Sequence, residues 1–223
     1  MTQELAFLNS ETTTMPAFLV DSVDKNLGNE NIGAEDQSMP QLKLLQALSP
    51  EIEELEGAKT GLFCNSITGE LYESVYLVNL AYKREYAVFR KRQKGGGFHG
   101  SFSERSEAVA SLSELQGIDT DYDIVETGKH GCLLLDAVTG EPKLPVMVFF
   151  KSTALPVSRN WNTQITTVAG DAPRFGTIWH VSSNKQSNEK GTWANWKVDH
   201  AGFVTQEIYD AAKELHAGIA AQM

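Results

Sequence analysis

The chain has 223 residues, of which 41% are hydrophobic, and 19 Lys and Arg stand against 29 Asp and Glu, for a formal net charge of −10. This length can form one substantial core, and the negative charge argues against indiscriminate binding of polyanions. There is no apolar run of about 18 residues and no basic, apolar secretion signal, so we expect a cytoplasmic protein with no membrane partner.

The first 37 residues are rich in Thr, Ser, Asn, Gly and acidic side chains and show neither helical nor strand periodicity. This composition predicts a flexible acidic N-terminal arm over residues 1–37. Residues 38–223 are expected to form a single domain. At its start, "QLKLLQAL" lies between Pro40 and Pro50, which predicts a strand or a short helical turn instead of a long helix.

From Leu62 onward, short apolar or alternating runs separated by turn residues predict an antiparallel sheet. Hairpins are expected around Thr68-Gly69 and Thr139-Gly140. The segment "SVYLVNLAYKREYAVFRKR" predicts strand structure that is broken near "KRE". The stretch 174–202 predicts two strands around a polar connection from Ser182 to Gly191.

Two segments favour helices instead of strands. "SERSEAVASLSELQG" has Ser103 as a candidate N-cap and Gly117 as a stop, and the C-terminal segment has Thr205 as a candidate N-cap. Many short strands, one inserted helix and one terminal helix predict a mainly β domain, and more specifically an OB-like antiparallel barrel. Cys64 and Cys132 have no Cys or His at metal-ligand spacing, so we expect two reduced thiols in or near the core and no metal site.

Positive charge is concentrated in two windows of this acidic chain. Residues 81–105 carry seven bases and two acids, and residues 151–200 carry six bases and three acids. Aromatic residues alternate with these bases, and all four tryptophans lie in the second window. Proteins that bind single strands without sequence preference need both residue types, since bases contact phosphates and flat side chains stack on nucleobases. The pattern predicts a nucleic-acid groove.

Strand alternation assigns individual residues to that groove. In "YAVFRKR", Tyr86 shares a face with Arg90 and Arg92, which leaves Phe89 as a core residue. "RKRQKGGGFHG" is interpreted as a mobile hairpin tip that closes over the bound strand. The predicted nucleic-acid-binding residues are Tyr82, Lys83, Arg84, Tyr86, Arg90, Arg92, Lys94, Phe98, Arg159, Trp161, Trp193 and Lys197.

Motifs of catalysis are missing from the sequence. It contains no phosphate-binding loop ending in Gly-Lys-Ser/Thr, no His-Glu-x-x-His and no Gly-x-Ser-x-Gly. "DTDYD" (119–123) lacks the later Gly and Glu of a calcium loop and is interpreted as a solvated acidic loop. We therefore expect a binding protein without a cofactor and not an enzyme. A small hydrolase or nuclease would need an acidic or histidine cluster at a groove.

The order of "MPQLKLLQALSPEI", "CNSITGELY", "YAVFRKRQKGGG" and "RFGTIWHVSSNKQSNEKGTWANWKVDHAG", followed by a closing helix, resembles tailed-bacteriophage single-stranded DNA-binding proteins of the OB-fold type. The resemblance covers most of the chain after Met39. It implies a five-stranded barrel that coats single strands during phage DNA replication or recombination in the host cytoplasm. Replication or recombination proteins and further copies of the chain are the partners it implies. Many such proteins end in an acidic tail, whereas this chain ends in "AAKELHAGIAAQM".

A different class of protein accounts for some of the same features. A phage structural or assembly protein could use a β domain and an N-terminal arm to associate with copies of itself. The two hypotheses differ in whether the two basic windows should meet on one surface. The choice between DNA and RNA stays open at this stage.

Overall fold

The computed structural model describes residues 27–33, 36, 38–115, 117–189, 191–221 and 223. The chain divides into two units, Met1–Ser38 and Met39–Met223. Within the first unit, the Gly28 N–H donates a hydrogen bond to the Glu30 carboxylate. Most of the predicted arm, residues 1–37, lies outside the described residues, and its flexibility stays a prediction.

The second unit is mainly β, with antiparallel sheets and several helices, which confirms the predicted class. The strands are β1 (Leu42–Leu44), β2 (Phe63–Asn65), β3 (Leu71–Tyr72), β4 (Val75–Arg90), β5 (Phe98–Phe102), β6 (Tyr122–Leu135), β7 (Pro142–Lys151), β8 (Thr177–Asn188) and β9 (Gly191–Phe203). The α-helices are α1 (Glu51–Glu54), α2 (Arg105–Ser111), α3 (Leu155–Ala169) and α4 (Gln206–Ala221).

Strand β4 organises the larger of two sheets. Strands β1, β2 and β3 form a small sheet, and the other six form a sheet in the order β7-β6-β4-β8-β9, with β5 also paired to β4. The 16 residues of β4 pair with β6 along most of their length, with β8 near one end and with β5 near the other. Strands β7 and β9 do not pair with each other in the described part of the chain. The OB-like barrel therefore remains a prediction.

The two faces of the large sheet are covered by different elements. On the front face, Val148 and Phe150 of β7 and Trp179 of β8 pack with Trp161 of α3, together with residues of the small sheet. The other end of the front face, around Tyr86, is covered by α2. Burial of these apolar side chains supplies most of the driving force for folding.

On the back face, α4 packs against β4 and β6. Ile208 and Ile219 of α4 contact the cluster that includes Leu80 and Leu133 of the sheet. Gly131 permits the close approach, because a Cβ at that position would lie 2.3 Å from Ile219 Cγ2. The rest of the back face, toward β5 and the end of β7, carries exposed and half-buried side chains around the buried Ala87 and Thr127.

Two strand boundaries differ from the sequence predictions. The break near "KRE" is wrong, because β4 continues through Arg84, which pairs with Gly128 of β6 and keeps the hydrogen-bonded ladder intact. The polar connection from Ser182 to Gly191 is also wrong, since β8 extends to Asn188 and β9 begins at Gly191. This end of the β8–β9 ribbon is largely exposed, so its side chains are polar and look like those of a loop.

The helices confirm two predictions and correct two. The Ile208 N–H donates to Thr205 Oγ1 over 3.3 Å, which confirms the cap of α4. Helix α2 is present where predicted, but Glu104 caps it instead of Ser103. Helix α3 was not predicted, although Pro156 lies in its first turn and apolar residues recur at helical spacing.

Two predicted hairpins and the predicted state of the cysteines agree with the structure. The hairpins at Thr68-Gly69 and Thr139-Gly140 join β2 to β3 and β6 to β7. Cys64 and Cys132 are buried free thiols, as expected. None of the helices in the described residues is both long and apolar enough to cross a membrane.

Candidate nucleic-acid interface

The basic hairpin between β4 and β5 is partly neutralised by acidic side chains at the start of β6 and just before it. Lys94 Nζ lies 3.2 Å from Asp121 Oδ1, and Lys91 Nζ lies 3.8 Å from Asp123 Oδ1. Lys91 Nζ also donates to the Thr120 carbonyl over 2.7 Å. Burial would raise the pKa of the Asp121 carboxyl, but hydrogen bonds from Lys94 and the Ile118 N–H outweigh it and hold that pKa below its ordinary value. The "DTDYD" segment therefore supplies counter-charges to the tip.

This pairing changes the expected role of the tip. Arg90 is half-buried and lies near enough to Asp121 to lower the pKa of that carboxyl. Arg92 is exposed, and neither Arg90 nor Arg92 makes an ion pair within the described residues, whereas Lys94 does. A phosphate would have to compete with Asp121 for Lys94. The tip is less positive than its own sequence indicates.

The two basic windows meet on the front face, in the gap between α2 and α3. Tyr82 is 37% exposed there, and Arg84 follows two residues later on the same face of β4. Arg159 of α3 donates to Glu126 of β6 over 2.8 Å, and this hydrogen bond raises the pKa of Arg159. We call Tyr82, Arg84 and Arg159 the front patch. Three of the predicted binding residues are thus brought together by β4 and α3.

Beneath the front patch, His130 belongs to a buried polar network. Arg174 Nε donates to Asn79 Oδ1 over 2.6 Å, so the Asn79 amide nitrogen faces His130 Nδ1 at 2.9 Å. That amide can only donate, which makes Nδ1 the acceptor and places the imidazole proton on Nε2. Nε2 then donates to Ser158 Oγ over 2.7 Å. In this tautomer His130 cannot accept the Ser158 proton. Ser158, His130 and Asn79 therefore lack the general base of a nucleophilic triad.

Two predicted stacking residues are core residues instead. Trp161 is fully buried and stacks on His130 with ring centroids 4.7 Å apart. Tyr86 is 9% exposed and belongs to the cluster beneath α2. The alternation of Tyr86 and Phe89 between faces was right, but their assignment was reversed, because α2 covers the front face there and Phe89 is left half-buried on the back face.

Three further predicted residues lie elsewhere. Lys83 projects from the back face and donates to the Met223 carbonyl over 2.6 Å. On β9, Lys197 pairs with Asp199 at 2.6 Å, and Trp193 lines a 460 Å³ cavity with Lys185. No contact in the described structure joins Trp193 or Lys197 to the front patch.

The back face carries a row of aromatic rings and ammonium groups. The ring centroids of Phe89 and Phe98 lie 5.5 Å apart, and Phe98 is 61% exposed. Lys151 Nζ lies 5.6 Å from the Phe89 centroid and 5.9 Å from that of Phe149, and Lys129 Nζ lies 5.8 Å from Phe149. We call these five residues the back patch. Such distances are those of cation–π contacts.

Of the back patch, only Phe98 was predicted as a binding residue. Lys129 pairs directly with Phe149 across β6 and β7, and Phe89 pairs with Phe98 across β4 and β5. The signal that could have indicated the patch is the spacing of Phe149 and Lys151, since residues two apart on a strand share a face. Lys129 also lies 3.8 Å from Glu85, and Asp123 pairs with Phe89 across β4 and β6, so two acids border the patch.

The burial of His130 predicts that stability depends on pH. Burial, with a smaller contribution from Arg174, holds the pKa of His130 well below its ordinary value of 6.5. The unfolded chain therefore binds a proton below pH 6.5 that the folded chain does not, and stability is full above this pH and falls below it. We expect the free energy of unfolding to decrease by up to about 1.4 kcal/mol per pH unit as the pH falls from 6.5 toward 5.

Urea unfolding at a series of pH values measures this slope. Carboxylates with lowered pKa values, such as those of Glu51 and Asp121, lose their contribution only at lower pH, so they do not produce the effect above pH 5. A His130→Asn variant, which keeps a polar side chain but no titratable group, should show a flatter profile. Equal slopes in the two proteins would show that His130 is not the responsible group.

In the part of the chain that the structure describes, no group of three or more His, Cys, Asp or Glu side chains could hold a metal ion. No curated protein and no solved structure matches this chain. One family model, described as Pam3 phage gp34-like protein, matches residues 9–223, nearly the whole length. This match supports the expectation of a bacteriophage protein. The chain belongs to the Pam3 phage gp34-like protein family.

Proposed function

We propose that this protein binds single-stranded DNA without sequence preference, and that the back patch is its main binding surface. The observation that supports this most directly is the placement of Lys129 and Lys151 over half-buried phenylalanine rings beside the exposed Phe98. Nonspecific single-strand binding needs this combination, because rings stack on bases of any identity while ammonium groups contact phosphates. The patch joins residues from both basic windows and from β6 between them.

Single strands suit the back patch better than duplex does. Phe98 offers an exposed ring, and an unpaired base has a free face to stack on it, whereas the bases of a duplex already stack on one another. The net charge of −10 repels a long polyanion, so attraction must be local. We include the OB-like barrel in this proposal, since OB-fold proteins bind oligonucleotides on a strand surface of this kind.

Replacing Lys129 and Lys151 by Met should weaken binding and make it less sensitive to salt. Each phosphate contact on a single strand contributes about 0.7 to the slope of log affinity against log salt concentration, through release of counterions. The double variant should therefore lower the slope by about 1.4 if both lysines contact phosphates. Fluorescence anisotropy with labelled thymidine oligonucleotides of several lengths measures both quantities.

Lys213→Met is a matched control, since Lys213 is an exposed lysine on α4. It removes one lysine charge of the same kind as each substitution in the double variant, and it should leave the slope unchanged. Circular dichroism checks that all variants are folded. If the double variant keeps the wild-type affinity and slope, or if wild type binds duplex as tightly as single strands, the proposed function is wrong.

Exposed apolar side chains favour a second candidate, a phage structural or assembly protein that associates with itself. Val138 at the β6–β7 turn is 94% exposed and Phe203 at the end of β9 is 65% exposed. Scattered exposed apolar residues are common, but those at strand ends can also contact another copy. Light scattering over a range of protein concentrations tests this candidate. Self-association together with no DNA binding at low salt would favour it over the first.

A further inference from the structure

Arg174 is a half-buried cation that has no carboxylate partner among the residues that the structure describes. Its Nε and Nη2 donate to the side-chain oxygens of Asn79 and Asn162, and its third nitrogen, Nη1, has no hydrogen-bond partner among the described residues. The described side-chain atoms that are both buried and unpartnered do not include Nη1. Part of the Nη1 surface therefore stays accessible to solvent. Burial lowers the pKa of this guanidinium. A partly desolvated charge of this kind is costly unless an anion compensates it.

Two more arginines, Arg84 and Arg159, lie on the elements next to Arg174. Arg159 and Asn162 are three residues apart on α3, so they lie on one side of that helix, and Asn162 accepts from Arg174. The Arg174 guanidinium lies 5.6 Å from the centroid of the Tyr82 ring, and Arg84 lies two residues further along β4 on the same face. The Arg84 guanidinium lies 5.7 Å from the ring centroid of Tyr86, which follows Arg84 on the same face. Strand β4, helix α3 and the segment before β8 thus bring three arginines to the neighbouring rings of Tyr82 and Tyr86.

The site is open to solvent and positively charged. Tyr82, Arg84 and Arg159 are exposed, and Gly128, which pairs with Arg84, contributes no side chain between them. A Cβ on Gly128 would lie 2.5 Å from Ser158 Oγ and 3.6 Å from Tyr82 Cε2, so these side chains pack directly on the glycine and form the floor of the site. Glu126, the acid that contacts the site, pairs with Arg159. Three arginines against one glutamate leave an excess of positive charge.

We propose that the front patch, together with Arg174, binds a phosphate group. Arg84, Arg159 and Arg174 can surround its oxygens, and the Tyr82 hydroxyl can donate a further hydrogen bond. Guanidinium groups are suited to this ligand because their planar donors match phosphate geometry. The group could belong to a free phosphate compound or to the terminal phosphate of a nucleic-acid strand.

This site does not depend on the proposed function, because it lies on the opposite face of the sheet from the back patch. A free phosphate compound can bind the front patch whether or not DNA binds the back patch. A terminal phosphate would instead add to DNA binding and would distinguish one strand end from the other. Two probes distinguish these sources: inorganic pyrophosphate represents a free phosphate compound, and a phosphorylated oligonucleotide represents a strand end.

Thermal unfolding with inorganic pyrophosphate tests the site directly, with sodium chloride at matched ionic strength as reference. A ligand at about 100 times its dissociation constant should raise the Tm by several degrees. The double variant Arg84→Met with Arg159→Met changes only exposed side chains and should lose this rise. Lys213→Met should keep it, and so should the Lys129→Met and Lys151→Met variant of the back patch.

Anisotropy with one labelled oligonucleotide that carries either a 5′-phosphate or a 5′-hydroxyl tests the second source. Tighter binding of the phosphorylated form by wild type, lost in the double arginine variant, identifies a strand terminus as the ligand. Equal binding of both forms together with the pyrophosphate effect identifies a free phosphate compound. If pyrophosphate raises the Tm no more than chloride does, or if the double arginine variant responds like wild type, the proposal is overturned.

Discussion

Replacing Trp161 by Ala should lower the free energy of unfolding by about 3–5 kcal/mol, which is typical of removing a large aromatic residue from a core. The side chain is fully buried and stacks on His130, and its ring centroid lies 6.0 Å from that of Phe150 and 6.2 Å from that of Trp179. Its removal would leave a cavity at the centre of the front core. Urea unfolding monitored by circular dichroism measures the loss.

A milder substitution separates packing from DNA binding. Trp161→Phe keeps an aromatic ring in the core, so the protein should stay folded at a smaller cost in stability. Because Trp161 has no exposed surface, this variant should bind single-stranded DNA like wild type. A folded Trp161→Phe protein that has lost its affinity for DNA would show that Trp161 takes part in DNA binding. That result would contradict its assignment to the core.

Replacing Phe98 or Phe89 by Ala should cost about 1–3 kcal/mol of binding free energy for single-stranded DNA, through lost base stacking. Phe98 is exposed and its ring contacts that of Phe89, so a base stacked on one ring lies beside the other. Neither substitution removes a charge, so the salt slope should stay at its wild-type value. Anisotropy titrations at several salt concentrations measure affinity and slope together.

The matched control is Phe203→Ala, which removes an exposed phenylalanine at the end of β9. Its affinity for DNA should equal that of wild type. The phenylalanine variants of the back patch should therefore lower the affinity alone. The lysine variants should lower both the affinity and the salt slope. Wild-type affinity in both Phe98→Ala and Phe89→Ala would exclude base stacking at the back patch.

Local sequence signals predicted the elements whose conformation depends on near neighbours. Thr68-Gly69 and Thr139-Gly140 mark hairpins because glycine readily adopts the positive φ that their turns require, and both glycines have it. Thr205 marks the start of α4 because its hydroxyl accepts a backbone N–H one turn later. Helix α3 carried comparable signals in Pro156 and its apolar spacing, so it was predictable although it was not predicted.

Burial of the aromatic residues could not be predicted in the same way. Strand alternation places Tyr86 and Phe89 on opposite faces, but it does not indicate which face a helix will cover. That depends on α2, which packs over Tyr86 from a separate part of the chain. The burial of Trp161 likewise depends on distant parts of the chain, because its neighbours Phe150 and Trp179 come from two different strands.

By itself, the sequence determined the mainly β class, most of the hairpins, the cap of α4 and the clustering of bases with aromatic residues, because each depends on residues close together in the chain. Only the tertiary structure decided which of those bases remain available. Lys94 is paired with Asp121 and Lys197 with Asp199, while Lys151 makes no ion pair in the described residues and lies over phenylalanines of the back patch. Charge and burial at a site depend on which distant strands and helices pack together, and local composition does not specify that pairing.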